Sequence, residues 1–184
     1  MSALSDEVPI PPKDQMNPGL SSAREDTMMG KFGKPGPLTP DCSDPSGEFK
    51  KRIVWGIDVG PFKVSGLGFA VESLKQIFAE VRRDLPVVFA EAKTAGVLCV
   101  RHRRHNPSRY SNHSWGTAID LYFGNKVVPQ GHPVTHRGVL RTILVLAYQW
   151  DMLGPPPVKL DSAAFQLFRL DATGRPTPWR INLR

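Results

Sequence analysis

The chain has 184 residues, 40% hydrophobic and 22% charged. These are the proportions of an ordinary globular protein, and they exclude wholesale disorder, a collagen-like repeat and a coiled coil. No apolar run approaches the roughly 20 residues that cross a bilayer, and the start, Met1 to Glu7, lacks the basic and apolar stretches of a secretory signal peptide. Twenty-four Lys and Arg against 17 Asp and Glu leave a net charge of +7, which favours polyanions: nucleic acid, anionic lipid or acidic cell-wall polymers.

Residues 1–46 read as a Pro/Gly-rich N-terminal arm, partly disordered. Eight prolines from Pro9 to Pro45 predict that it keeps no helix and buries little apolar surface. Residues 47–184 form the packed domain. Within it, 51–67 alternates loosely and predicts short strand or loop pieces. Residues 68–84 carry the best helical pattern, with Ala70, Val71, Leu74, Ile77, Phe78 and Val81 at three- and four-residue steps. Pro86 ends that run, and a second short helix is expected over 87–93. Gly96 is a stop, and 97–100 reads as a buried strand. A basic, turn-rich stretch follows over 101–110, then a strand over 118–123. Residues 137–150 predict a strongly apolar helix, Gly154 to Pro157 breaks the chain, and 165–170 reads as a last strand. Strands and helices without regular alternation predict an α+β fold.

The stretch richest in chemistry is Ser111-Asn112-His113-Ser114-Trp115-Gly116-Thr117-Ala118-Ile119-Asp120, which fits S-x-H-x-x-G-x-A-x-D. A loop histidine and a strand aspartate converge if the chain between them turns tightly. Gly116 permits that turn, and Ala118 leaves room beside it. An imidazole nitrogen and a carboxylate oxygen suit Zn²⁺, so His113 and Asp120 are candidate metal ligands. A catalytic zinc takes three protein ligands and keeps one position open, so the pair is not a complete site.

This motif resembles the signature of the D-alanyl-D-alanine carboxypeptidase (VanY-like) zinc peptidases, and within them the branch of phage endolysins and cell-wall endopeptidases. The likeness extends back through Thr94-Ala95-Gly96-Val97-Leu98-Cys99 and Arg101. It implies a hedgehog/DD-peptidase-like fold, a small antiparallel sheet flanked by helices. It also implies a zinc-dependent hydrolase of peptidoglycan peptide bonds, acting at the bacterial cell wall or periplasm. His113 and Asp120 would bind zinc. Asp161, in Asp161-Ser162-Ala163-Ala164-Phe165, falls on the general base. Arg101 is the first candidate to bind a substrate carboxylate or the developing oxyanion, with Arg104 second.

The sequence departs from that pattern at Ala164, which stands where the third zinc-binding histidine should be. An alanine offers no lone pair. Three explanations compete: a natural pseudoenzyme that binds peptidoglycan without cutting it, a deliberate alanine substitution, or completion of the site by another residue. His132 and His136, in a loop after the Asp120 strand, are the candidates for the last.

The basic run Arg101-His102-Arg103-Arg104-His105, with Arg109, reads either as a grip for cell-wall carboxylates and phosphates or as a solvated loop. Too few aromatics lie near it for a nucleic-acid surface. The expected partners are peptidoglycan peptides, not membrane, and the protein is expected to be a monomer. No Walker sequence and no serine-hydrolase elbow is present. Cys42 and Cys99 are too few for a four-cysteine zinc site. Cys99 is either buried and unreactive or bridged to Cys42.

Overall fold

The computed structural model describes residues 3–10, 24–128, 132–148, 164–166, 169–170 and 176–177, the segments beyond 142 by their backbone. They form an α+β fold in which every strand pair is antiparallel. Helix α3 (Gly68–Asp84) forms as its periodicity predicts. The six apolar residues named above are all buried along one face of it. Burying side chains of that size contributes about 1.5–3 kcal/mol each, which outweighs the weak start at Gly68. The helix ends where Leu85 donates its N–H to the Val81 carbonyl at 2.8 Å. Pro86 then occupies the first turn of α4 (Pro86–Glu91), where its missing N–H costs nothing. The Phe78 ring meets Phe62 edge-on at 5.1 Å and Phe89 at 6.5 Å, tying α3 to the preceding loop and to α4.

Residues 51–67 fold as a hairpin of β2 (Ile53–Asp58) and β3 (Lys63–Leu67), with a register shift between Val54 and Ile57. The next regular strand is β4 (Lys93–Gly96). This corrects the expectation for 97–100, which is irregular apart from one bridge between Val100 and Ser43. Val97 and Val100 are buried as expected, but their carbonyls serve partners outside any sheet. The basic stretch forms a small ladder of β5 (His102–Arg103) and β6 (Asn106–Tyr110). After it come a short 3-10 turn (Asn112–Trp115) and β7 (Ala118–Tyr122). β7 is the middle strand of a three-stranded sheet, between β4 and β9 (Ala164–Gln166).

The N-terminal segment departs from its reading. β1 (Glu7–Pro9) pairs with β8 (Val134–His136). Arg137 and Gly138, which open α5 (Arg137–Tyr148), donate to the carbonyls of Asp6 and Leu4 at 2.8 and 2.9 Å. Helix α1 (Glu25–Phe32) buries Met28 completely and stacks Phe32 on Phe69 at 5.4 Å. The prolines flank this helix rather than interrupt it: none falls between Pro18 and Pro35. A proline-rich strand can still pair at a sheet edge, where its missing N–H faces outward.

One buried acid makes stability depend on pH. Glu80 lies on the inner side of α3. Burial, opposed by the Arg83 guanidinium and aided by Asp84, pushes its carboxyl from the usual 4.5 up to about 7. Between those values the folded chain holds a proton that the unfolded chain has lost. Stability therefore falls as pH rises from about 4.5 to 7, by at most about 3 kcal/mol. Glu80→Gln should remove that decline and leave the variant more stable than the parent at pH 8. Urea unfolding of both proteins at pH 5 and pH 8 measures it, and parallel pH dependences would exclude Glu80 as the source. His136 acts in the opposite sense, because burial holds its pKa below 6.5, so stability is lost as pH drops through that region.

Candidate metal centre

Ser111 caps the 3-10 turn, its hydroxyl accepting from the His113 N–H at 3.4 Å. Ser114 accepts the Arg101 N–H at 3.1 Å and donates to the Arg101 carbonyl at 3.0 Å, stitching the turn to β5. Trp115 is fully buried and donates from Nε1 to the Gly33 carbonyl at 2.9 Å. Gly116 closes the turn in the left-handed region, φ 61° and ψ 38°. A Cβ there would lie 2.5 Å from the Gly66 Cα. The backbones of β3 and of the turn therefore touch, and the chain is delivered onto β7.

This turn brings His113 and Asp120 together. Nε2 of His113 lies 3.5 Å from Oδ1 of Asp120, with side-chain exposures of 8% and 31%. The other ring nitrogen, Nδ1, lies 3.1 Å from the Val97 carbonyl oxygen. A carbonyl can only accept, so Nδ1 carries the proton. In the neutral imidazole, Nε2 then presents a bare lone pair toward a carboxylate oxygen. The 3.5 Å separation is too long for a good hydrogen bond, and a cation could be shared between the two atoms. Two donors at about 2.0–2.2 Å from one tetrahedral zinc lie roughly 3.4 Å apart, close to the observed separation. The Val97 carbonyl is the kind of outer partner that orients a metal-bound histidine. Sequence reasoning missed it because a backbone acceptor carries no residue-type signal.

The rest of the predicted set is not assembled in the same way. The Arg101 guanidinium donates to the His102 carbonyl at 3.1 Å. Among the described residues, no hydrogen bond or ion pair joins it to His113 or Asp120. Asp161 lies outside the described residues. Ala164 is placed by its backbone: it is the register partner of Asp120 across β7 and β9, with Gly96 opposite Asp120 on the β4 side. Among the described residues, no group of three His, Cys, Asp or Glu side chains gathers at one point. Completion by His136 is corrected. That ring is buried in β8, and its Nδ1 accepts the Phe123 N–H at 3.0 Å. His132 is exposed. In the basic run, Arg103 donates to the Tyr110 carbonyl at 3.0 Å. Arg109 pairs with Asp26 at 3.1 Å and Glu25 at 3.5 Å, and the Asp26 carboxylate raises its pKa further.

Cys42 and Cys99 form a disulfide, which settles the two readings of Cys99. The Cys99 N–H also donates to the His113 carbonyl at 2.9 Å, so the bridge anchors the segment beside the His113 turn. Their sequence separation is 57, and closing a loop of that size stabilises a fold by about 4 kcal/mol on chain entropy alone. Cys42→Ser should lower the unfolding free energy by about 2–4 kcal/mol. Denaturant titration under oxidising conditions measures this, and an unchanged midpoint would show that the bridge contributes nothing.

In comparisons with known proteins, no family model, no curated protein and no solved structure matches the chain. No helix among the described residues is long and apolar enough to cross a membrane.

Proposed function

We propose that this chain is a zinc-peptidase-type domain of the hedgehog/DD-peptidase architecture, directed at the peptide bonds of peptidoglycan. The observation that carries the reading is the His113–Asp120 pair, with donors 3.5 Å apart and Nδ1 engaged so that Nε2 faces the carboxylate. His113 and Asp120 supply two ligands, and the Val97 carbonyl holds the imidazole in the metal-binding tautomer. Zinc bound there would lower the pKa of a bound water to about 7 and polarise the substrate carbonyl. Asp161 accepts the proton of the attacking water. Arg101, released from the His102 carbonyl, binds a substrate carboxylate or the oxyanion. The Cys42–Cys99 bridge supports work in an oxidising compartment such as the periplasm or cell wall.

Ala164 favours a second reading: a protein of the same architecture that binds peptidoglycan without hydrolysing it. The position opposite Asp120 in the sheet lacks a donor, and a zinc held by two protein ligands is weakly held. The test is to load the protein with Zn²⁺, measure bound metal after dialysis, and incubate it with purified peptidoglycan. Retained zinc and new amino termini, absent from a His113→Ala control, support the peptidase. Pull-down with cell-wall sacculi but no cleavage supports the binding protein. A chain that retains no zinc and ignores sacculi is neither.

A further inference from the structure

A cleft of about 670 Å³ lies between α1 and α2 (Gly47–Lys50), apart from the His113–Asp120 pair. Phe32 and Phe49 form its floor, 9% and 3% exposed. Lys31, Lys34 and Arg52 stand around it. The Arg52 Nη1 donates to the Lys31 carbonyl at 3.2 Å, which fixes the guanidinium beside the C-terminal turn of α1. Among the described residues, no carboxylate pairs with these three cations. Glu48 also lines the cleft, but its carboxylate is bound to the Lys51 ammonium at 2.7 Å. Three like charges around one concavity repel each other, and a concave wall of one sign concentrates the opposite ion. Gly33 and Gly47 line the same cleft and are exposed, with nothing within 4 Å of an added Cβ, so a ligand can approach the backbone there without meeting side chains. Trp115 braces one edge through its bond to the Gly33 carbonyl.

We propose that this cleft binds a phosphate monoester, either free or at the end of a polymer. A phosphate monoester carries about −1.5 to −2 charge and three acceptor oxygens, which matches three cations better than a singly charged carboxylate does. The aromatic residues are a buried floor, not exposed stacking platforms, so the cleft lacks what holds the bases of a single-stranded nucleic acid. The site does not depend on the metal pair, and binding is read without any hydrolysis.

Glycerol 3-phosphate and an oligo(glycerol phosphate) ending in a phosphate are titrated by calorimetry at low salt against the full chain. A single-stranded oligonucleotide of equal charge serves as the third probe. Lys34→Glu changes an exposed side chain with no structural bond described. Lys63→Glu makes the same charge change on β3, outside the cleft. Lys34→Glu should weaken both polyol phosphates about tenfold or more, the scale of one lost charge-assisted contact, while Lys63→Glu leaves them nearly unchanged. Tighter binding of the oligomer than of glycerol 3-phosphate assigns the site to a polymer end, and equal binding assigns it to a free metabolite. The proposal is overturned if neither polyol phosphate binds, if both variants weaken binding equally, or if the oligonucleotide alone binds and loses affinity with Lys34→Glu.

Discussion

Ala164→His should raise zinc affinity by more than about 100-fold, because losses even outside the ligand shell cost 10–100-fold. β9 runs antiparallel to β7 with position 164 directly opposite Asp120. Opposed residues of an antiparallel pair have Cβ atoms about 4.5–5.5 Å apart on one side of the sheet, within reach of a shared ion for an imidazole and a carboxylate. Asp120 is flanked on its other side by Gly96, where an added Cβ would meet nothing within 4 Å. Competition with a chromophoric chelator reads the affinity. His113→Ala combined with Ala164→His should return it to the parent value, which separates a joint site from a lone surface histidine. If the peptidase reading is right, peptidoglycan hydrolysis should appear with the added ligand. Unchanged zinc affinity would show that position 164 does not face the pair, and the likeness to the peptidase pattern would lose its third element.

The convergence of His113 and Asp120 was legible in the sequence because the residues between them are locally decisive. A serine cap, a glycine able to take positive φ and an alanine on the strand admit few paths. Helix α3 was legible for a similar reason, its apolar period being long and uninterrupted up to Pro86. The proline count of the N-terminal segment hides α1, because the helix occupies a window free of prolines and is held by Met28 and Phe32 packing on distant residues. The irregular 97–100 was misread because its apolar run is buried for another purpose. Val97 presents its carbonyl to His113, Cys99 is tied to Cys42, and Val100 bridges to Ser43. Such backbone partners leave no trace in residue type. Arg101 lies beside the His113 turn through its backbone bonds to Ser114, but its side-chain direction depends on packing that no motif encodes.

Gly116→Ala should cost about 2–5 kcal/mol, a large share of the 5–15 kcal/mol that holds a typical domain together. Two costs add. An alanine at φ 61° occupies the left-handed region at about 1–2 kcal/mol. Its Cβ would also stand 2.5 Å from the Gly66 Cα and 3.2 Å from the Leu67 nitrogen. Those are backbone atoms of β3 that cannot rotate away, and overpacking of this kind costs about 1–3 kcal/mol. Gly66→Ala tests the division. Gly66 is not at positive φ, and its Cβ would lie 2.6 Å from the Gly116 carbonyl oxygen. It should therefore show the steric part alone and destabilise less than Gly116→Ala. The double variant should be non-additive, because both changes open the same contact. Denaturant midpoints with unchanged slopes measure all three. A Gly116→Ala protein as stable as the parent would mean that the turn and β3 are not in contact. The tight path from His113 to Asp120 would then rest on the Ser111 cap and the left-handed Gly116 alone.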